Sequence, residues 1–205
     1  MANKNDVFKT YDKIADWFDE HRSRELFEKP YLDKFISLLK PGAHILDVGC
    51  GMGEPITQYL ISRGLQVTGV EGSQKLIALA RERLPEGRFI HADMRILALG
   101  ETFDGIIVWH SLFHLSQDCQ KSMFRVFAEH LRPQGILMFT SGHQEDEIWS
   151  ENGGEKLYHA SLSVQSYREL LSKHQFEIIS HTAQDQDCGE ATVWLAQLNN
   201  HSEKK

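Results

Sequence analysis

Apolar positions recur along the chain in two rhythms. Spacings of three and four residues predict helices over Val7–His21, where Val7, Tyr11, Ile14 and Phe18 share a face, and over Phe27–Leu39, which stops at the breakers Pro41-Gly42. The same spacing predicts helices from Pro55 to about Gly64, over Gln74–Leu84, over Gln117–Leu131 before the breaking run Arg132-Pro133-Gln134-Gly135, and over Val164–His174. Short unbroken apolar runs predict seven strands: Ile45–Val48, Leu65–Val70, Arg88–His91, Phe103–Trp109, Ile136–Thr140, Phe176–His181 and Ala191–Leu198. Runs without polar alternation suit strands buried on both faces, as in a parallel sheet. The last two, joined by the polar Gln184–Glu190, are expected to pair as a hairpin at the sheet edge. Ser141–Ser163 breaks both rhythms and is expected to be irregular, a stretch covering a substrate and carrying Trp149, Tyr158 and His159. Asn199–Lys205 is polar and expected to fray.

The densest chemistry lies where the first strand ends, in Ile45-Leu46-Asp47-Val48-Gly49-Cys50-Gly51-Met52-Gly53-Glu54-Pro55. Alternating glycines permit a left-handed backbone and close approach of a ligand to the main chain, and Pro55 suits the first turn of a helix. Strand, ligand-hugging turn and helix suit a nucleotide, a phosphate or another nucleoside. Glu54 stands where a pyrophosphate would meet the helix N-terminus, and the spacing G-x-G-x-G lacks the last glycine of the dinucleotide fingerprint, so a phosphate-free cationic ligand fits better. Glu71 follows Gly49 by 22 residues, at the end of the second strand, where a carboxylate can accept from both hydroxyls of a ribose.

The glycine turn resembles the first motif of the class I S-adenosylmethionine-dependent methyltransferases, usually hydrophobic-LDVGCGxG, and the resemblance runs from Ile45 to about Leu198. It implies a cofactor site built from Asp47, Gly49, Cys50, Gly51, Gly53, Glu71 and Gly72, with Asp93 and Met94 at the adenine and Trp109 and His110 as a wall. Tyr11-Asp12-Lys13-Ile14-Ala15 matches the family's Y-D-x-I-A segment, which closes over the methionine end, so Tyr11 joins the cofactor set and Arg22 or Arg24 could reach the ligand carboxylate. His114-Leu115 and Leu131-Arg132-Pro133-Gln134-Gly135 also look like family patterns, His114 reading more simply as a residue that ties its loop down. The expected fold is α/β, a Rossmann-like doubly wound seven-stranded mostly parallel sheet with an antiparallel edge strand and helices on both faces. A single domain over 1–205 would carry 1–41 as a helical lid, or simply as a cover for the sheet, and 142–163 as the substrate-covering insertion.

Composition narrows the partner. A net charge of −7 disfavours a nonspecific grip on nucleic acid, so a small-molecule methyl acceptor is expected, taken up at O, N or S. Cys50, Cys119 and Cys188 are odd in number and unpaired in spacing, which suits free thiols in a reducing compartment. Met1–Asp6 lacks a signal-peptide core and no run could span a bilayer, so a cytoplasmic monomer or homodimer is expected. His143, Glu145, Asp146 and Glu147 lack the paired spacing of metal ligands, and no metal is expected. The cofactor is S-adenosyl-L-methionine, leaving as S-adenosyl-L-homocysteine. Catalytic help, if the acceptor keeps its proton, would come from His110 or Tyr11. The competing expectations are a non-catalytic cofactor-binding sensor and, disfavoured by Glu54, a nicotinamide enzyme. Trp17, Phe18, Trp149 and Tyr158 are the candidate aromatic lining of an acceptor pocket.

Overall fold

Strand β1 (His44–Val48) lies near the middle of a seven-stranded sheet and pairs in parallel with β2 (Gln66–Glu71) on one side and β4 (Phe103–Val108) on the other. In this computed structural model, which describes residues 3–199, β3 (Arg88–His91) pairs outside β2, and β5 (Leu131–Ser141) pairs outside β4. The order is β3-β2-β1-β4-β5-β9-β8, completed by β8 (Phe176–Asp185) and β9 (Ala191–Leu198). Strand β9 runs antiparallel to both β5 and β8, so the reversed strand sits one place in and the expected hairpin forms that edge. The chain winds outward from β1 through β2 to β3, then returns to β4 on the opposite side. Ligands gather outside the carboxyl ends of strands at such a switch point.

Why these runs form strands is plain in their burial. Ile106 and Val108 point to one face of β4 and Ile107 to the other, and all three are wholly buried. One face packs on α5 (Gln117–His130) and α6 (Val164–Lys173) through Phe124, Phe127, Tyr167 and Leu171. The other packs on α2 (Lys29–Ser37) and α3 (Ile56–Ser62) through Leu32, Phe35 and Leu60. Each such side chain contributes about 1.5–3 kcal/mol by leaving water. Helix α4 (Gln74–Arg83) starts at Ser73, whose hydroxyl accepts the Leu76 N–H, and its apolar face covers Phe89.

Helix α1 (Val7–His21) is bolted along α4. Asp12 accepts from the Ser73 hydroxyl at 2.6 Å and from the Lys75 N–H at 3.0 Å, and one turn from the far end Asp19 takes both Arg83 nitrogens at 2.7 Å.

One expectation is overturned. The stretch read as irregular is largely a two-stranded hairpin, β6 (Asp146–Asn152) with β7 (Glu155–Ser161). Its two-residue turn, Gly153-Gly154, has φ of +56° and +78°, the left-handed pair that matches strand twist. β6 is exposed along most of its length and carries no buried face, so it lacks the apolar signature of a strand. Gly153 rests against the Trp17 ring, which seats the tip on α1. The tail expected to fray, Asn199–Lys205, lies beyond Asn199 outside the described residues, as do Met1 and Ala2. Among the described residues no helix is long and apolar enough to cross a membrane, and no group of three or more His, Cys, Asp or Glu is arranged to hold a metal.

Candidate active site

The carboxyl ends of β1, β2, β3 and β4 open into one cavity of about 400 Å³, roofed by α1 and the β6–β7 hairpin. Of the residues expected at a cofactor site, Asp47, Gly49, Cys50, Gly51, Glu71, Gly72, Asp93, Met94, Trp109, His110 and Tyr11 all line it.

Gly53 does not line it. A Cβ there would come within 2.6 Å of Leu84, so its left-handed backbone, φ +82°, serves the packing of the turn on α4. Gly49 also has an internal reason, because a Cβ would meet Ser111 Cβ at 2.3 Å. Only Gly51 of the three faces open space, with nothing within 4 Å of a Cβ. The turn's amides are occupied as well: Gly49 and Cys50 donate to the Val70 carbonyl, and Gly51 donates to Glu71 Oε2 at 3.0 Å. The glycine turn therefore offers shape and space to a ligand, and its amides already have protein acceptors.

Glu54 is corrected too. Its carboxylate turns to Arg83 at 3.0 Å and to Arg24 at 3.5 Å, away from the cavity, so it carries no argument for or against a pyrophosphate. Arg24 is committed to Asp19 and Glu54, whereas Arg22, just past the end of α1, lines the cavity.

The acids at the strand tips differ in state. Glu71 is nearly buried and its pKa is raised, chiefly by burial, although its oxygens accept the Gly51 and Ser73 N–H groups. Each oxygen keeps acceptor capacity toward the cavity. Asp47 is held by the Thr57 hydroxyl at 2.5 Å, and burial pushes its pKa up to about 6. Asp93 is tied to the Arg95 guanidinium at 2.5–2.9 Å, and its pKa lies below the ordinary carboxylate value despite partial burial. A ligand donor at Asp93 must share its oxygens with Arg95.

Beyond β4 the wall is aromatic and neutral. His110 has φ +49°, an uncommon backbone for a non-glycine residue, fixed by its N–H donating to Thr140 Oγ1 at 2.8 Å. Burial, with Arg22 nearby, lowers its pKa to about 4. His114 bonds Tyr11 Oη at 2.9 Å on one side and the Tyr158 carbonyl at 2.9 Å on the other, and burial lowers its pKa to about 3. So His114 does tie its loop down, and it also faces the cavity. Burial, with the Glu71 charge, raises the Tyr11 pKa, so the phenol stays protonated.

Of the four aromatics expected in an acceptor pocket, Phe18 lines the cavity. Trp17 stacks on His21, Trp149 is about half exposed, and Tyr158 buries its ring on the opposite face of the hairpin against Val7. In their place stand Phe113 and His159, stacked 5.3 Å apart, with Leu157. The sequence carried one signal for His159: the two glycines at 153 and 154 mark a hairpin whose alternation turns 157 and 159 to the same face.

Comparison with known proteins fits this geometry. Residues 45–135 match the family model described as a methyltransferase domain. The putative methyltransferase YqeM of Bacillus subtilis is 31% identical over 140 residues, 63% of this chain and 54% of that protein. A malonyl-[acyl-carrier protein] O-methyltransferase of Enterobacter lignolyticus is 33% identical over 147 residues, 68% of this chain and 55% of that protein, so the chain spans about half the length of these relatives. Among solved structures, the 1,6-didemethyltoxoflavin-N1-methyltransferase of Burkholderia thailandensis, with 1,6-didemethyltoxoflavin and S-adenosylhomocysteine bound, has a TM-score of 0.72 at 18% identity, covering 98% of this chain and 92% of that one, a likeness of fold.

Proposed function

We infer, from a chain that belongs to the class I S-adenosylmethionine-dependent methyltransferases, that it binds S-adenosylmethionine in the 400 Å³ cavity and methylates a small molecule there. The observation that carries this reading is the convergence of Glu71, Asp93 and the open face of Gly51 on one hollow from successive strand tips.

The residues fit the ligand group by group. Glu71 accepts from the ribose hydroxyls with its remaining lone pairs, held in place by two main-chain N–H groups. Asp93, sharing its oxygens with Arg95, accepts from the adenine amine while Met94 packs on the ring. Asp47 faces the amino group of the methionine moiety, and a cation there restores an ordinary carboxylate pKa. Arg22 meets the carboxylate. When bound, the sulfonium supplies an activated methyl group, so the protein's work is alignment and exclusion of water. His110 and Tyr11 stand at the end of the cavity beyond β4, where they orient the acceptor. His110, neutral at pH 7, can accept a hydrogen bond from it.

A thermal-shift comparison tests the reading: S-adenosylhomocysteine raises the melting temperature, the stabilisation growing with the logarithm of its concentration above Kd, and NADH does not. Stabilisation by NADH and not by S-adenosylhomocysteine would reverse the assignment.

A further inference from the structure

The hydrogen bonds around His114 fix more than its position. The Tyr158 carbonyl can only accept, so the ring nitrogen 2.9 Å from it, Nδ1, carries the proton. A neutral ring with Nδ1–H leaves Nε2 bare, and the partner of Nε2, 2.9 Å away, is the Tyr11 hydroxyl. Tyr11 must then spend its single proton on His114. Its oxygen keeps two lone pairs and no donor for anything in the cavity that both residues line.

We propose that His114 is a positioning residue that orients the Tyr11 hydroxyl, making the acceptor end of the cavity a receptacle for an uncharged, flat molecule bearing an O–H or N–H. This rests on the methyltransferase reading above. The surroundings supply the rest of the selection. Phe18 lies edge-on to Tyr11 at 5.1 Å, and Phe113 stacks with His159 and stands against His114 at 4.8 Å, giving flat apolar walls. The groups facing His114 are Tyr11 from α1, His110 and Phe113 from its own loop and His159 from β7. Burial keeps the three histidines neutral. The carboxylates lining the described cavity are Asp47, Glu71 and Asp93, all at the strand tips of the cofactor end; the Glu71 charge reaches Tyr11, but none of the three bonds to the rings around His114, so an ammonium there finds no carboxylate partner. Arg22 adds to that penalty. A neutral donor meets the Tyr11 lone pairs instead. The same chain of two hydrogen bonds joins α1, the loop after β4 and the hairpin, so the roof and the polarity of the site are set together.

Nitrogen-15 NMR of histidine-labelled protein tests this directly. His114 is expected to show a protonated Nδ1 and a bare, acceptor-type Nε2 that do not titrate between about pH 8 and 5, and Tyr11→Phe should move the Nε2 resonance alone. An Nε2–H tautomer, or titration in that range, overturns the proposal. With S-adenosylhomocysteine saturating, phenol should perturb the Tyr11 and His114 resonances and benzylammonium should not, and Tyr11→Phe should weaken phenol by about tenfold, the worth of one buried hydrogen bond. His114→Gln, which keeps an acceptor near Nε2, should recover part of the affinity lost in His114→Ala. Preference for benzylammonium, or no response to either probe, rejects the acceptor class. Calorimetry of S-adenosylhomocysteine on the same samples reads the cofactor assignment separately, since its failure leaves the tautomer result standing.

Discussion

Glu71 Oε2 accepts the Gly51 N–H at 3.0 Å, a bond that spans 20 residues of sequence and joins the tips of β1 and β2. One nearly buried carboxylate thus holds the glycine turn in shape and faces the cavity. Glu71→Gln should lower affinity for S-adenosylhomocysteine by about 10- to 100-fold, the range for hydrogen bonds to a charged group, while the fold persists. Calorimetry with a parallel circular-dichroism melt reads both effects.

Two glycines of one turn should fail for different reasons. At Gly49 an added Cβ meets Ser111 Cβ at 2.3 Å on a backbone of φ +79°, so Gly49→Ala should cost several kcal/mol, of order the worst core substitutions. Ser111→Gly in the same chain should recover part of it. At Gly51 the space is open, so Gly51→Ala should cost only the strain of a left-handed residue, about 1–2 kcal/mol, and appear mainly as weaker cofactor binding. Urea unfolding of the three variants separates the cases.

Asp47 should give the ligand-free protein a reversed pH dependence. Burial raises its pKa from the ordinary 3.8 to about 6 in the folded state. Between these values the folded protein keeps a proton that the unfolded chain has lost, so stability falls as pH rises through about 4 to 6, by about 3 kcal/mol. Asp47→Asn removes this contribution: its stability relative to wild type should improve steadily across that window, measured by urea unfolding at each pH.

His114 acts in the opposite direction. Its folded pKa is depressed to about 3, so the neutral ring contributes stability above the ordinary 6.5 that is lost as pH falls below it. His114→Gln should flatten the acid limb of the stability profile; an unchanged limb would place the titrating group elsewhere.

How much of this was legible in the sequence follows from burial. The central strands β1 and β4 of the main sheet read clearly because they are apolar and buried along most of their length, whereas β3 and β8 carry fewer apolar positions, and the acids at positions 47, 71 and 93 read because each lies at or within two residues of a strand's carboxyl end. The hairpin did not, since β6 shows solvent to both faces and its one sign is the Gly153-Gly154 turn. Glu54 misled because its partner Arg83 lies 29 residues away on another helix, and Gly53 because helix packing and ligand space ask for the same backbone. Among eleven histidines the sequence marks His114 only by the His114-Leu115 pattern and His159 only by the glycine hairpin, because their roles depend on a hairpin carbonyl, a helix phenol and a stacked ring brought together by the fold.

The most direct measurement is a crystal structure of the protein with S-adenosylhomocysteine. The ribose hydroxyls should lie on the Glu71 carboxylate, the adenine amine at Asp93 beside Arg95, and the sulfur toward Tyr11 and His110. A nucleoside bound away from Glu71, or with its ribose and adenine ends exchanged between Glu71 and Asp93, would contradict the reading of this cavity as a methyl-transfer site.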